Sequence, residues 1–432
     1  MQSTFIIKLA MKLIPKIFYN FRKVWKAVKL YILLAGPGII VMVADNDAGG
    51  ITTYTATGAK FGYGLLWFLL ILIPVAYYVQ EMTVRLGAVT KRGHAEAIFD
   101  GFGSFWGWFS LLDLILVNWL TLITNFIGMT SALKIFGIPD YLTVFVVCIL
   151  MGIMVLNGRY WTWEKIALVF CAFNLVYIPM AFIVHPSIGS VLKEGLIPHF
   201  PGGFTSILFF YLMANIGTTI APWMLFFQQS AVVDKGMKEK DIPWGRFDTF
   251  VGSIITVLVA MFIVITTGTV LRGIEIESAA QASQVLMAIN PHLGTMLAIG
   301  LFNAGLLGAI CISLASSWAF GEVFGWAHSL NSKIKEASWF YINYFITLVS
   351  AGLVVLIPGA PLVLITLFVQ VVAVTLLPAA IIFLLLLLND EKTMGEYKNT
   401  WWQNLVASVI IITVVVLSTL YGISILFPNL FR

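Results

Sequence analysis

The sequence predicts an all-α polytopic membrane protein with eleven transmembrane helices, and three observations carry that prediction. The 432 residues are 60% hydrophobic and only 10% charged, with a mean hydropathy of +0.96. Apolar runs long enough to cross a hydrocarbon core of roughly 30 Å, which takes about 20 helical residues, recur at 34–57, 62–88, 105–135, 141–157, 164–184, 204–232, 247–271, 293–325, 338–357, 360–388 and 402–428. Once those runs are numbered, all of the 25 lysines and arginines except Lys60, Lys134, Lys193, Arg272 and Arg432 fall on one side. Runs this long and this continuously apolar exclude barrel strands, in which polar and apolar residues alternate.

Residues 1–33 are basic and amphipathic and lack a small-residue cleavage site, which predicts a cytoplasmic surface segment leading into the first span. The core follows over 34–390 as two five-helix halves, and 391–432 adds a loop and the eleventh span. The lysine- and arginine-rich side is expected to be cytoplasmic, and an odd number of spans then leaves the C-terminus outside. The net charge of +5 therefore reflects topology and gives no reason to expect nucleic acid as a partner; no obligate protein partner is indicated either. Cys148, Cys171 and Cys311 lie far apart without paired spacing, so neither a disulfide framework nor a thiolate metal site is expected. The five histidines fall in or beside loops. No hydrolase His/Glu spacing or nucleophile elbow is present, so an enzyme is not expected, and no cofactor.

In the first span the run Asp45-Asn46-Asp47-Ala48-Gly49-Gly50 sets two carboxylates and a glycine pair inside hydrocarbon. A carboxylate there costs several kcal/mol unless compensated, so it marks a site for an ion, a proton or a substrate, and the glycines suggest a broken helix. In the sixth span, Pro222 within Gly217-Thr218-Thr219-Ile220-Ala221-Pro222-Trp223 removes an N–H and frees carbonyls near Thr218. Taken alone, Pro222 reads more readily as a simple kink. The first and sixth spans, however, are corresponding members of the two halves, and paired interruptions mark carriers built from inverted repeats, with the site at the midplane. Asp45 points about 200° from Asp47 on an intact helix; in an unwound segment both would face the cavity.

The remaining polar and aromatic residues have blander readings. Asp113 is expected to bond to a neighbouring helix or to line the inner exit, Glu322 to sit at the membrane interface, and Glu81 with Arg85 to form a helix-surface pair. Trp106, Trp108, Trp161, Trp163, Trp401 and Trp402 fit an interfacial belt, while Trp223 is expected beside the second break. Gly305, Gly308, Ala309, Ser316 and Ser317 suit close helix packing.

Several segments carry a resemblance: Gly36-Pro37-Gly38, Phe61-Gly62-Tyr63-Gly64-Leu65-Leu66-Trp67, Phe136-Gly137-Ile138-Pro139, and Gln370-Val371-Val372 with Pro378 eight residues after the glutamine. In this order, over about residues 34–390, they are similar to the Nramp family of divalent-metal transporters, which implies a LeuT-like inverted repeat. The family's Asp-Pro-Gly-Asn falls on Asp47-Ala48-Gly49-Gly50, and its Met-Pro-His on Ala221-Pro222-Trp223. Asp47 is kept, whereas the asparagine and methionine ligands become Gly50 and Ala221. The resemblance implies metal contacts from Asp47, the Thr218 carbonyl and Gln370, with Asp45 a further candidate. Loss of a soft thioether removes a reason to prefer transition metals, and Mg²⁺, which sheds water reluctantly, suits a roomier carboxylate site. The pattern resembles the prokaryotic Nramp-related magnesium transporters, expected to carry Mg²⁺ and also Mn²⁺ across the inner membrane. Leu122 and Asn125 stand where the family's third helix has two acidic residues, so uncoupled transport is expected. The rival expectations are a proton-coupled Mn²⁺ or Fe²⁺ importer, an organic-substrate carrier, and a channel.

Overall fold

The computed structural model describes residues 36–156, 159–276, 278–360 and 362–427, apart from the side chains of residues 362–364, 367 and 370. The basic N-terminal segment and the Gln370 side chain thus lie outside the described residues. Among the described residues every regular element is a helix, and nine helices are long and apolar enough to cross a membrane. The two other predicted spans take different forms. The first is a pair of half-helices, α1 (Pro37–Ala44) and α2 (Ala48–Phe61), and the fourth is the 16-residue α6 (Asp140–Val155).

Between them stand α3 (Leu66–Thr90), a short α4 (His94–Phe102) and α5 (Ser104–Lys134). The fifth span is α7 (Tyr160–Phe173) and α8 (Tyr177–Ile183), joined through a 3-10 turn at Asn174–Val176. The connecting α9 (Ile188–Leu196) leads to the sixth span, divided into α10 (Ser206–Gly217) and α11 (Pro222–Asp234). Then come α12 (Ile242–Val270), the short α13 (Ala279–Ile289), α14 (Pro291–Phe324), α15 (Ser338–Val355), α16 (Leu362–Asn389), α17 (Glu391–Met394) and α18 (Trp401–Leu426).

Both breaks are held open by identifiable partners. Asp47 takes an extended conformation and its side chain accepts the Gly50 N–H, so it N-caps α2. The Met42 carbonyl, freed where α1 stops, accepts the Thr256 hydroxyl of α12. The Val43 carbonyl accepts the Asn46 N–H at 3.2 Å and the Asn174 amide at 3.5 Å, so the bend in the fifth span lies beside the break in the first. In the sixth span, Ala221 is extended and Pro222 takes the first helical position of α11, where its missing N–H costs nothing.

The N-terminal end of α1 is capped from a distant element. Asp248 of α12, 4% exposed, accepts the N–H groups of Gly36 at 2.8 Å, Gly38 at 2.7 Å and Ile39 at 3.3 Å. These are the donors a helix N-terminus leaves unsatisfied, and a carboxylate there also meets the positive end of the helix dipole. A Cβ on Gly38 would come within 2.6 Å of the Thr249 hydroxyl, and one on Gly252 within 2.9 Å of the Gly38 carbonyl, so both glycines permit this approach. Beside the clamp, Lys235 pairs with Glu164 at 2.7 Å and lies 4.9 Å from the Trp161 ring centre.

Three expectations are corrected. Glu81 and Arg85 do pair, but in the interior: Glu81 is 4% and Arg85 2% exposed, Arg246 adds a second cation at 2.8 Å, and Arg85 also donates to the Tyr397 carbonyl. Glu322 is buried within the protein rather than open to solvent; it accepts the Ala95 and Glu96 N–H groups and the Ser230 hydroxyl, which caps α4. Trp163 is buried against Tyr160 and Phe227, unlike the five other tryptophans assigned to the belt, which are exposed. Asp248→Ala would strand three buried N–H groups, so it is expected to destabilise the protein by about 1–3 kcal/mol. The readout is a lower thermal midpoint in detergent, with Asp248→Asn intermediate.

Candidate functional site

Asp47 lies at the start of α2 and is 4% exposed. Its Oδ1 accepts the Gly50 N–H at 2.8 Å and its Oδ2 accepts the Asn125 side-chain amide at 3.0 Å. The Asn125 carbonyl oxygen in turn accepts the Ala48 N–H at 3.1 Å, and its amide also donates to the Thr121 carbonyl. One amide on α5 therefore braces both the carboxylate and the first turn of α2. Close approach is needed for this, and glycines supply it. A Cβ on Gly308 of α14 would fall 2.7 Å from the Asp47 Cβ, and one on Gly128 of α5 would fall 2.3 Å from the Ala48 Cβ.

The two breaks face each other. A Cβ built on Gly50 would lie 3.6 Å from Asp47 Oδ1 and 3.7 Å from the Thr218 Cβ, so a side chain at position 50 would project between these two residues. The Thr218 carbonyl accepts the Tyr54 hydroxyl at 3.2 Å, and that hydroxyl also meets Thr219 Oγ1 at 3.1 Å. Ala221 presents only its methyl group, and its N–H donates to the Met224 sulfur at 3.3 Å. A thioether is thus present at the second break, one turn beyond the position at which the family resemblance implies its loss. Trp223 is buried and meets Phe227 edge-on with ring centres 6.1 Å apart. Gly49 follows Ala48 in the first turn of α2, and its carbonyl accepts the Thr53 hydroxyl.

Asp45 caps the end of α1, is 3% exposed, and its buried Oδ2 has no hydrogen-bond partner among the described residues. Asn46 is committed to structure, since its amide donates to the Thr256 carbonyl at 3.0 Å. Leu122 is buried on α5 one turn before Asn125. Asp113 is half-buried, and its Oδ1 has no hydrogen-bond partner among the described residues. His94, the first residue of α4, is fully buried with Nδ1 2.8 Å from Gln229 Oε1; burial lowers its pKa to about 4, which keeps it neutral at physiological pH. Among the described residues no three His, Cys, Asp or Glu side chains gather as a metal cluster.

Two cavities flank the broken first span at its opposite ends. One of about 460 Å³ is lined by Gly36, Trp161, Lys235 and Asp248; the other, about 480 Å³, by Ala56, Lys60, Tyr211 and Glu275. Asp47 lines neither, and lies sealed between them.

Sequence reading alone missed Tyr54, Met224 and the bracing role of Asn125. Tyr54 had a usable signal, because it stands seven residues after Asp47 and hence on the same helix face. Met224 follows Ala221 by three, which is the spacing at which a side chain returns to the N-cap.

The family described as Natural resistance-associated macrophage protein-like matches residues 38–424. The chain is 28% identical over 408 residues to the divalent metal cation transporter MntH of Lacticaseibacillus casei, covering 88% of this chain and 85% of that protein. It is 25% identical over 419 residues to MntH of Listeria monocytogenes, covering 94% and 91%. Its fold is similar to that of the Eremococcus coleocola manganese transporter, with a TM-score of 0.74 at 22% identity over 92% of this chain and 87% of the other. The match across nearly all of the spans establishes that the chain belongs to the Nramp family.

Proposed function

We propose that this protein carries Mg²⁺, and also Mn²⁺, across the plasma membrane as a hydrated ion, without proton coupling, by alternating access about the first and sixth spans. The observation that carries the reading is the buried Asp47 carboxylate, placed at a helix break opposite Thr218 and braced only by neutral donors. Divalent-metal transport is also what the names of its relatives state of them. In this reading the core is 34–390 with eleven spans, the N-terminus is cytoplasmic and the C-terminus outside. Asp47 supplies the principal charge, the Thr218 carbonyl and Gln370 lie near the ion, and Asp45 adds a second carboxylate. Ala48, Gly49, Gly50, Ala221, Pro222 and Trp223 line the site.

The absence of proton coupling rests on α5. Leu122 and Asn125 cannot titrate, and Asn125 is already engaged with Asp47. A divalent cation needs no second driver, because the potential supplies about 2.3 kcal/mol per charge per 100 mV. The second reading, a proton-coupled Mn²⁺ importer, is favoured by the fold shared with a manganese transporter and by the Met224 sulfur near the second break. An organic acid is disfavoured by two carboxylates at the break.

Uptake by purified protein in liposomes tests these readings. Mg²⁺ entry is expected to saturate, to be inhibited by Mn²⁺, and to vanish in Asp47→Ala; uptake that survives this substitution would remove Asp47 from the site. Restoring larger donors with Ala221→Met, alone and with Gly50→Asn, is expected to shift preference toward Mn²⁺ by about tenfold. Asn125→Asp sets a second carboxylate against Asp47, so one proton must be shared between them, and uptake is expected to become pH-dependent where that of the parent is not.

A further inference from the structure

We propose that Tyr54 determines ion specificity by keeping the bound cation hydrated: its hydroxyl occupies the Thr218 carbonyl, so an ion at Asp47 is held through retained water. The proposal rests on the reading of Asp47 and Thr218 as the two sides of the ion site. Tyr54 is fully buried on α2, two turns beyond Asp47. The direction of its hydrogen bond follows from its neighbours. The Thr219 hydroxyl donates its one hydrogen to the Asn215 carbonyl at 2.7 Å, so toward Tyr54 it acts as an acceptor. The Thr218 carbonyl can only accept. Tyr54 therefore spends its single hydrogen between two acceptors, at 3.2 and 3.1 Å, and its own oxygen can in turn accept a hydrogen.

A bare cation approaching the Thr218 carbonyl would share that oxygen with a hydroxyl hydrogen, which weakens direct contact. A water ligand meets no such conflict, because its hydrogens can donate to the Tyr54 oxygen. Gly50 and Ala221 place no side chain larger than a methyl group beside it. Mg²⁺ gives up its waters reluctantly, so this arrangement admits it, whereas a site offering a free carbonyl favours ions that shed water more readily. The hydroxyl also ties α2 to α10 across the site, and the same bond therefore joins the two half-helices nearest the cavity at Lys60 and Tyr211.

Tyr54→Phe keeps the ring and removes the hydroxyl. Uptake of Mg²⁺ and of Mn²⁺ is measured separately in proteoliposomes for the parent and for this variant. The KM for Mn²⁺ is expected to fall about three- to tenfold relative to that for Mg²⁺, the factor that one net hydrogen bond represents. Thr219→Val removes the competing acceptor, strengthens the bond to Thr218, and is expected to move the ratio of the two KM values the other way. An unchanged ratio in both variants, or KM values that rise together for both ions, would make Tyr54 a packing residue and overturn the proposal. If Tyr54→Phe does not fold, Thr219→Val alone decides. Asp47→Ala is run alongside: retained uptake there refutes the site itself, while a lost signal there with an unmoved ratio refutes only the role of Tyr54.

Discussion

The structure depends on how a buried carboxylate is left incompletely neutralised. Three other buried acids meet a cation or a set of backbone donors: Glu81 two arginines, Glu164 Lys235, and Asp248 three backbone N–H groups. Asp47 has two neutral donors and the N-terminus of α2, equivalent to about half a positive charge, and no cationic side chain among its described partners. Asp45 has less still, with an oxygen that bonds to nothing described. The energetic shortfall at this one place is what a divalent cation would supply. A lysine or arginine there would neutralise Asp47, whereas the Asn125 amide braces it and leaves its charge in place.

Geometry around the break follows from that requirement. Glycines at 128 and 308 bring α5 and α14 onto residues 47–48, and Gly50 stands between Asp47 and Thr218. The half-helix ends at the two breaks present carbonyls from α1 and α10 and positive dipole ends from α2 and α11, a combination suited to holding a carboxylate and a cation together. The Asp248 clamp anchors α1 to α12 at one end, and Tyr54 ties α2 to α10 at the other. Asp47 is buried between the two flanking cavities and lines neither.

Both breaks are legible in the sequence because their causes are local. Glycine after a buried carboxylate and proline in a continuous apolar run disrupt a helix wherever they occur, and the structure breaks at 45–47 and 218–221. The partners that stabilise the breaks are not legible, because they are distant: Asp248 lies 212 residues from Gly36, and Asn125 lies 78 from Asp47. In the sequence Asn125 reads as an acid lost, and only the fold shows that its amide is used. The same limitation explains Glu81, Glu322 and Trp163. Helix spacing shows which residues are neighbours on one helix, but whether that face meets lipid or another helix is decided by packing between remote segments. Span four is legible as apolar, and its helix covers 16 residues.

Uncoupled movement of a doubly charged ion is the central claim, and the reversal potential of the current in proteoliposomes tests it most directly. If the ion moves alone, the reversal potential follows the Mg²⁺ gradient and stays fixed when a pH gradient is imposed at constant Mg²⁺. A reversal potential that shifts with the pH gradient would mean that protons travel with the metal, and would contradict the reading of Leu122 and Asn125 as the reason no proton moves.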